Sequence, residues 1–258
     1  MHDALSSHHR PQQEQYDRIG GTYDAAKRLP LARFVERPSV LRLMGDMTGL
    51  RVLDLACGSG VYSRAARRLG AQRVVGVDIS AEMVKVAAEQ EEADRLGIEY
   101  RVGDATDLPS LGVFDVVLGI YLLNYASSPE AMSGMAHAVA RNLRPGGEFR
   151  SLNARPGLDL DGPGLAKYGF SFERVQVLPY GNEVHVTANT SKPFDFRAHI
   201  LHESVYEDAF SGAGFEKFTW RPTELSFEGL LEFGPPYWAN YFANPPWICF
   251  SCVRSGRP

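Results

Sequence analysis

In this chain of 258 residues, Val52-Leu-Asp-Leu-Ala-Cys-Gly-Ser-Gly60 and the later Val77-Asp78 carry the residue types and spacing that point to chemistry. A short apolar run ends in a Gly-x-Gly turn, and an acid closes the next apolar run. A strand, turn, helix, strand and acid in that order make a crevice for a nucleoside. The glycines let the backbone approach the ligand closely, and Asp78 would accept hydrogen bonds from both ribose hydroxyls. A lone Gly-x-Gly says little, but this context makes it specific.

Two ligands compete for such a turn. A nicotinamide dehydrogenase prefers a third glycine, which packs helix against strand beside a pyrophosphate. Ser63 stands at that position. Asp54, at the end of the first strand, suits a cation: it would receive an α-ammonium directly or through water. The alternative for Asp54 is a turn cap. The balance favours a nucleoside that carries an amino acid.

The elements that must position these residues follow from patterning. A helix with apolar positions at Phe34, Val35, Val40, Leu41, Leu43 and Met44 precedes Gly49. Strands are expected at Arg51–Leu55, Val74–Asp78, Ile98–Val102, Phe114–Ile120 and Glu148–Leu152. Helices alternate with them: Val61–Leu69 closed by Gly70, one from the Ser80 cap toward Arg95, and one opened by Ser128-Pro129-Glu130. Such alternation implies a parallel sheet covered by helices on both faces. After the Gly/Pro/Asp-rich loop 156–164 the pattern turns antiparallel, with strands at Phe172–Leu178, Val184–Asn189 and Phe194–Leu201. Pro179-Tyr-Gly-Asn182 reads as the hairpin turn between the first two. Ser204-Val-Tyr-Glu207 has the form of a capping box. Strands at Phe215–Trp220 and Trp247–Val253 flank an aromatic stretch from Phe233 to Phe242, in which Tyr237 and Trp238 read as core.

The central motifs resemble the class I S-adenosylmethionine-dependent methyltransferases. Val52 to Gly60, Val75 to Asp78, Gly103-Asp-Ala-Thr106, Phe114-Asp-Val-Val117 and Leu143-Arg-Pro-Gly-Gly147 carry the likeness, over roughly 51–152. The resemblance implies S-adenosylmethionine as cofactor and a doubly wound, Rossmann-like α/β fold. Its seven-stranded sheet would be mostly parallel, with an antiparallel last strand and an antiparallel β cap insertion. The cofactor set it implies is Asp54, Ala56, Cys57, Gly58, Gly60 and Asp78 around the turn. Ile79 and Met83 would pack on adenine and ribose, and Asp104 and Ala105 would meet the adenine edge. Ile120 would lie near the methionine moiety, and Tyr16 would close over the ligand. Asp104 has a plainer alternative as a loop carboxylate capping local N–H groups.

The outer segments Tyr16-Asp-Arg-Ile-Gly-Gly-Thr-Tyr23, Tyr121-Leu-Leu-Asn-Tyr125 and Gly234-Pro-Pro-Tyr-Trp238 … Asn244-Pro-Pro246 look like the methyltransferases of toxoflavin-type antibiotic biosynthesis. That likeness implies a heterocyclic or aromatic acceptor. A neutral nitrogen needs no base, whereas an oxygen or an acidic N–H does. The candidates for that role are His199, Tyr121 and His185, with Asn124 as an orienting hydrogen-bonder. Each histidine alternates with apolar residues, so a structural role competes. A protein that binds the cofactor without transferring methyl is the alternative reading.

Four segments are expected: an N-terminal lid and helix (1–48), a cofactor core (49–153), an acceptor-side cap (154–203) and a C-terminal completion of the sheet (204–258). Residues before Gln13 are expected to be disordered. The net charge of −4 argues against a basic nucleic-acid face. Cys57, Cys249 and Cys252 make neither a disulfide framework nor a four-ligand zinc site, so no metal is expected. Cys249-Phe-Ser-Cys252 falls on a strand, which would send its sulfurs to opposite faces. Without an apolar span or signal segment, the chain is expected to be cytoplasmic, a monomer or homodimer acting on a small molecule, with no nucleic-acid or membrane partner.

Overall fold

The computed structural model describes residues 13–19 and 23–256; the stretch expected to be disordered lies outside the described residues. A helix α1 over 13–19 and a short α2, Tyr23–Ala26, come first, then a π-helical turn, Ala32–Glu36, that runs into α3, Arg37–Met44. The core follows as β1 (Arg51–Leu55), α4 (Val61–Arg68), β2 (Arg73–Asp78), α5 (Ala81–Asp94), β3 (Glu99–Val102), β4 (Phe114–Ile120), α6 (Pro129–Asn142) and β5 (Leu143–Ala154). Local chemistry explains these boundaries. Ser80 caps α5 by accepting from the Met83 amide at 3.2 Å, and Ser128 caps α6 by accepting from Ala131 N at 3.2 Å. Asn142 ends α6, and β5 starts at Leu143, five residues before the expected Glu148.

The large sheet has the order β3-β2-β1-β4-β5-β10-β9, parallel except for β10 (Trp247–Arg254), which runs against both β5 and β9 (Phe215–Pro222). Strand order reverses between β1 and β4. At such a switch point the loops leave in opposite directions and open a crevice at the strands' carboxyl ends. The alternating side chains feed two cores. Val52, Val116, Leu118 and Leu152 pack with the N-terminal helices, and Leu53, Val75, Val117 and Phe149 pack with α6 and α7 (Glu203–Gly212). Cys249 joins the first core and Cys252 the second, so their sulfurs do lie on opposite faces. Burial pushes both thiols up, Cys249 to about 11, which leaves them unreactive.

The second sheet, β6-β7-β8, is antiparallel: Phe170–Leu178, Gly181–Ala188 and Phe194–Leu201. Its first hairpin is tighter than expected. Leu178 pairs with Gly181, so Pro179 and Tyr180 alone make the turn. A Cβ at position 181 would strike the Ile200 carbonyl at 2.3 Å, and φ there is +152°, so glycine is required.

One expectation fails at the C-terminal end. Ser204 does not cap α7; the helix starts at Glu203 with His202 before it and no side-chain cap, so Ser204 sits inside the first turn. Two short helices lie between β9 and β10: α8 (Phe227–Phe233), which ends where the aromatic stretch begins, and α9 (Ala239–Ala243) within it. As expected of core residues, Trp238 is fully buried, stacks on Tyr168 at 5.0 Å and donates its indole N–H to the Gly229 carbonyl. Among the described residues no helix is long and apolar enough to cross a membrane.

Phe250, at the centre of β10, is fully buried against Phe210, Trp220 and Phe218. Phe250→Ala leaves a void in a close-packed aromatic cluster. Urea unfolding should show a loss of about 3–5 kcal/mol.

Candidate active site

The crevice at the switch point has a volume of about 680 Å³ and is lined by Ala56, Gly58, Asp78, Ile79, Met83, Asp104, Ala105 and Ile120. These come from the ends of β1, β2, β3 and β4, the positions that the sequence motifs single out. The Asp78 carboxylate ties the site together: its oxygens accept from Gly58 N at 2.8 Å and Ser80 N at 2.9 Å. Burial raises its pKa, while those amides pull the other way. Asp104 accepts from the amide and hydroxyl of Thr106 at 2.8 and 2.7 Å, which fixes its loop while the residue still faces the crevice. Tyr16 lines the crevice, with its hydroxyl paired to that of Tyr125. Ser80 donates to Asp17 at 2.5 Å and fastens α1 beside Asp78.

Three of the expected cofactor residues stand elsewhere. Gly60 lies away from the crevice, where any Cβ would strike the Tyr100 hydroxyl at 2.3 Å; its role is steric, and its φ of +78° serves the turn. Cys57 and Asp54 line a smaller adjoining recess with Tyr23, Lys27 and Tyr62. Asp54 is 1% exposed and accepts from Ser63 Oγ at 2.6 Å. The serine that replaces the third glycine therefore holds the acid at the turn. Burial pushes the Asp54 carboxyl up to about 7. The donor set fits an adenosyl group with an amino-acid end: an acid for the ribose, apolar walls for the rings, and Asp54 for a cation.

A second cavity, about 640 Å³, lies under the cap. Phe172 of β6, Val184 and Val186 of β7, and Phe194, Phe196 and Ala198 of β8 form its roof, and Trp247 and Phe170 its wall. Tyr16, Tyr23, Tyr121 and Tyr125 line both this cavity and the crevice. The N-terminal segment also holds the cap, through the Arg197 amide donating to Gln15 Oε1 at 3.0 Å and ring contacts of Tyr16 with Phe196 and Tyr23 with Phe194.

The structure reorders the candidates for a base. The even-numbered residues of β7 and β8 face the cavity, so His185 and His199 fall on the opposite face of the cap. His185 pairs with Asp195 at 2.7 Å on that outer face. His199, its pKa lowered by burial, receives Asn124 Nδ2 on its backbone carbonyl. Asn124 does line the cavity, but both ends of its amide are used, the second by Ala154 N. Tyr121 is well placed between the two sites. Burial and the neighbouring Glu36 keep its phenol protonated, so it donates to Glu36 at 2.9 Å and is no base.

Glu36 itself escaped the sequence reading. It is 2% exposed, lines the cavity and accepts from Lys27, from Tyr62 at 2.7 Å and from Tyr121. The Lys27 ammonium sits over the rings of Tyr23, Tyr62 and Tyr121 at 5.1–5.5 Å. Burial would lower the Lys27 pKa, but the adjacent carboxylate more than reverses this and holds the ammonium charged. In sequence, Glu36 between Val35 and Arg37 looks like the polar side of a helix. The π turn adds a residue to that helix and rotates Glu36 inward.

A family described as a methyltransferase domain matches residues 52–147. A ubiquinone biosynthesis O-methyltransferase of Xanthomonas oryzae pv. oryzae is 33% identical over 180 residues, covering 68% of this chain and 70% of that protein. The chain belongs to the class I S-adenosylmethionine-dependent methyltransferases, enzymes for which that nucleoside is the cofactor. Among solved structures, the CcbJ methyltransferase from Streptomyces caelestis shares the fold at a TM-score of 0.64 and 17% identity, over 94% of this chain and 98% of that one. A DhpI–SAH complex does so at 0.60 and 19%, over 96% and 97%. The nicotinamide reading of the turn falls with these findings.

The raised Asp54 carboxyl has a consequence for stability. Its folded pKa lies above the unfolded value, so the folded state holds the proton longer and loses stability as pH rises toward about 7. Urea melts of the cofactor-free protein should show Asp54→Asn gaining about 2–3 kcal/mol relative to wild type between about pH 5 and about pH 8. A constant difference across that range would mean that Asp54 ionises normally.

Proposed function

We propose that this enzyme methylates an oxygen or ring nitrogen of a small, flat aromatic or heterocyclic metabolite of secondary metabolism, of the kind made in antibiotic biosynthesis. The observation that carries this reading is the aromatic-walled cavity that meets the cofactor crevice across four shared tyrosines. Its walls, mostly apolar and aromatic with a few polar groups, are those of a small-molecule site and suit a planar ring. The named function of the Xanthomonas relative, O-methylation in ubiquinone biosynthesis, favours oxygen as the acceptor atom. Three cysteines without a disulfide suit the reducing cytoplasm.

Bound S-adenosylmethionine supplies a methyl group on a sulfonium, already activated for in-line displacement. On this reading Asp78 holds the ribose, Asp104 and Ala105 the adenine edge, Ile79 and Met83 its faces, and Asp54 the ammonium. Tyr16, Tyr23, Tyr121 and Tyr125 align the acceptor and exclude water. Alignment of this sort contributes on the order of 7–11 kcal/mol in favourable intramolecular models.

Calorimetric titration with S-adenosylmethionine, S-adenosylhomocysteine and NAD tests the cofactor roles. Both adenosyl ligands should bind and NAD should not, and Asp78→Ala should weaken adenosyl binding about 100-fold. Equal affinity in the variant removes Asp78 from the site. The lid has its own measurement. Tryptic cleavage after Arg18 should slow when S-adenosylhomocysteine is present, and unchanged cleavage would count against closure of α1 over the cofactor.

A further inference from the structure

Resting on the aromatic-acceptor reading, we infer that Glu36 receives the acceptor's O–H or N–H proton, so the substrate is a neutral ring that carries an ionisable donor. Three observations lead there. Among the described residues lining the cavity, Lys27 and Glu36 are the charged ones, and they neutralise each other, so the wall offers no net charge to an anionic substrate. Other polar groups of the wall are already engaged: Tyr16 with Tyr125, and Asn124 with the His199 carbonyl and the Ala154 amide. A carboxylate accepts about four hydrogen bonds, and Glu36 uses Oε1 for Lys27 and Tyr62 and Oε2 for Tyr121. Among the described residues nothing else donates to Oε2, so one acceptor position there is open, beside the tyrosine that borders the cofactor crevice.

The chemistry balances without a further reagent. As the acceptor heteroatom gains its methyl group from the sulfonium, whose sulfur keeps the pair of the breaking bond, its own bond to hydrogen breaks. That bonding pair returns to the heteroatom, and the proton passes to Glu36 Oε2. A carboxylate suffices as the base because a methylated heteroatom that still holds its proton is strongly acidic. Lys27 stays charged throughout, and Tyr62 and Tyr121 hold the carboxylate in place. Glu36 is thus a catalytic residue in the strict sense, touching the substrate at the reacting atom.

The test measures binding to the protein saturated with S-adenosylhomocysteine, using three probes of one shape: β-naphthol, its methyl ether and β-naphthoate. β-Naphthol should bind at least about tenfold tighter than the ether and the naphthoate, as expected for a hydrogen bond to a charged group. Glu36→Gln should erase most of that preference, read as the ratio of naphthol to ether affinity within each variant, and Glu36→Asp should restore part of it. If the ether binds as well as the naphthol, or the naphthoate binds best, the role of Glu36 is overturned and the aromatic cavity stands. If none of the three binds, the cavity is not the acceptor site, and the proposed function fails along with this inference. Should Glu36→Gln fail to fold, the ranking on the wild-type protein still decides.

Discussion

A carboxylate sealed from water has to be neutralised and hydrogen-bonded where it stands, or the fold that buries it is penalised by several kcal/mol. Glu36 meets that demand with partners from separate parts of the chain. Lys27 comes from the turn after α2, Tyr62 from α4, and Tyr121 from the loop leaving β4. Satisfying one acid therefore docks the N-terminal segment on the Rossmann-like core and sets the wall between the two cavities. The π turn that delivers the acid is a local irregularity of the helix, of the kind that concentrates at functional sites.

The two cavities behave as one site with a shared partition. Tyr16, Tyr23, Tyr121 and Tyr125 belong to both, and burial holds each phenol protonated. They serve as surface and as hydrogen-bond donors, not as anions. Tyr121 occupies a left-handed backbone conformation, φ +65°, rare for an aromatic residue. The amide of Tyr121 donates to the Leu152 carbonyl at 2.7 Å, which fixes the turn that aims the ring at the boundary. Strain of this kind persists where the surroundings determine the conformation.

What could be read in the sequence was what the backbone demands locally. The Gly-x-Gly turn, the acid at the end of β2 and the caps of α5 and α6 each act within a few residues, and all stand where patterning put them. The cap strands were legible as alternation, but a period of two does not reveal which phase faces inward. That is why His185 and His199 entered as candidates and then fell on the outer face. Glu36 was illegible for a different reason: Tyr121 lies 85 residues from it, and no local signal announces the extra residue of a π turn. The helices α8 and α9 are too short to show a helical period, and the rings that seat them, Phe233 on Phe34 and Trp238 on Tyr168, meet partners far away in sequence.

The cap sheet shares no strand with the sheet that carries the cofactor crevice. Its inner side chains, Phe172, Val184, Val186, Phe194, Phe196 and Ala198, hang from a ladder whose pairing depends on backbone and not on their identity. Exchanging one of them reshapes the roof of the second cavity and leaves the Asp78 turn untouched. The architecture therefore separates a roof that single exchanges can reshape from a turn that they leave alone.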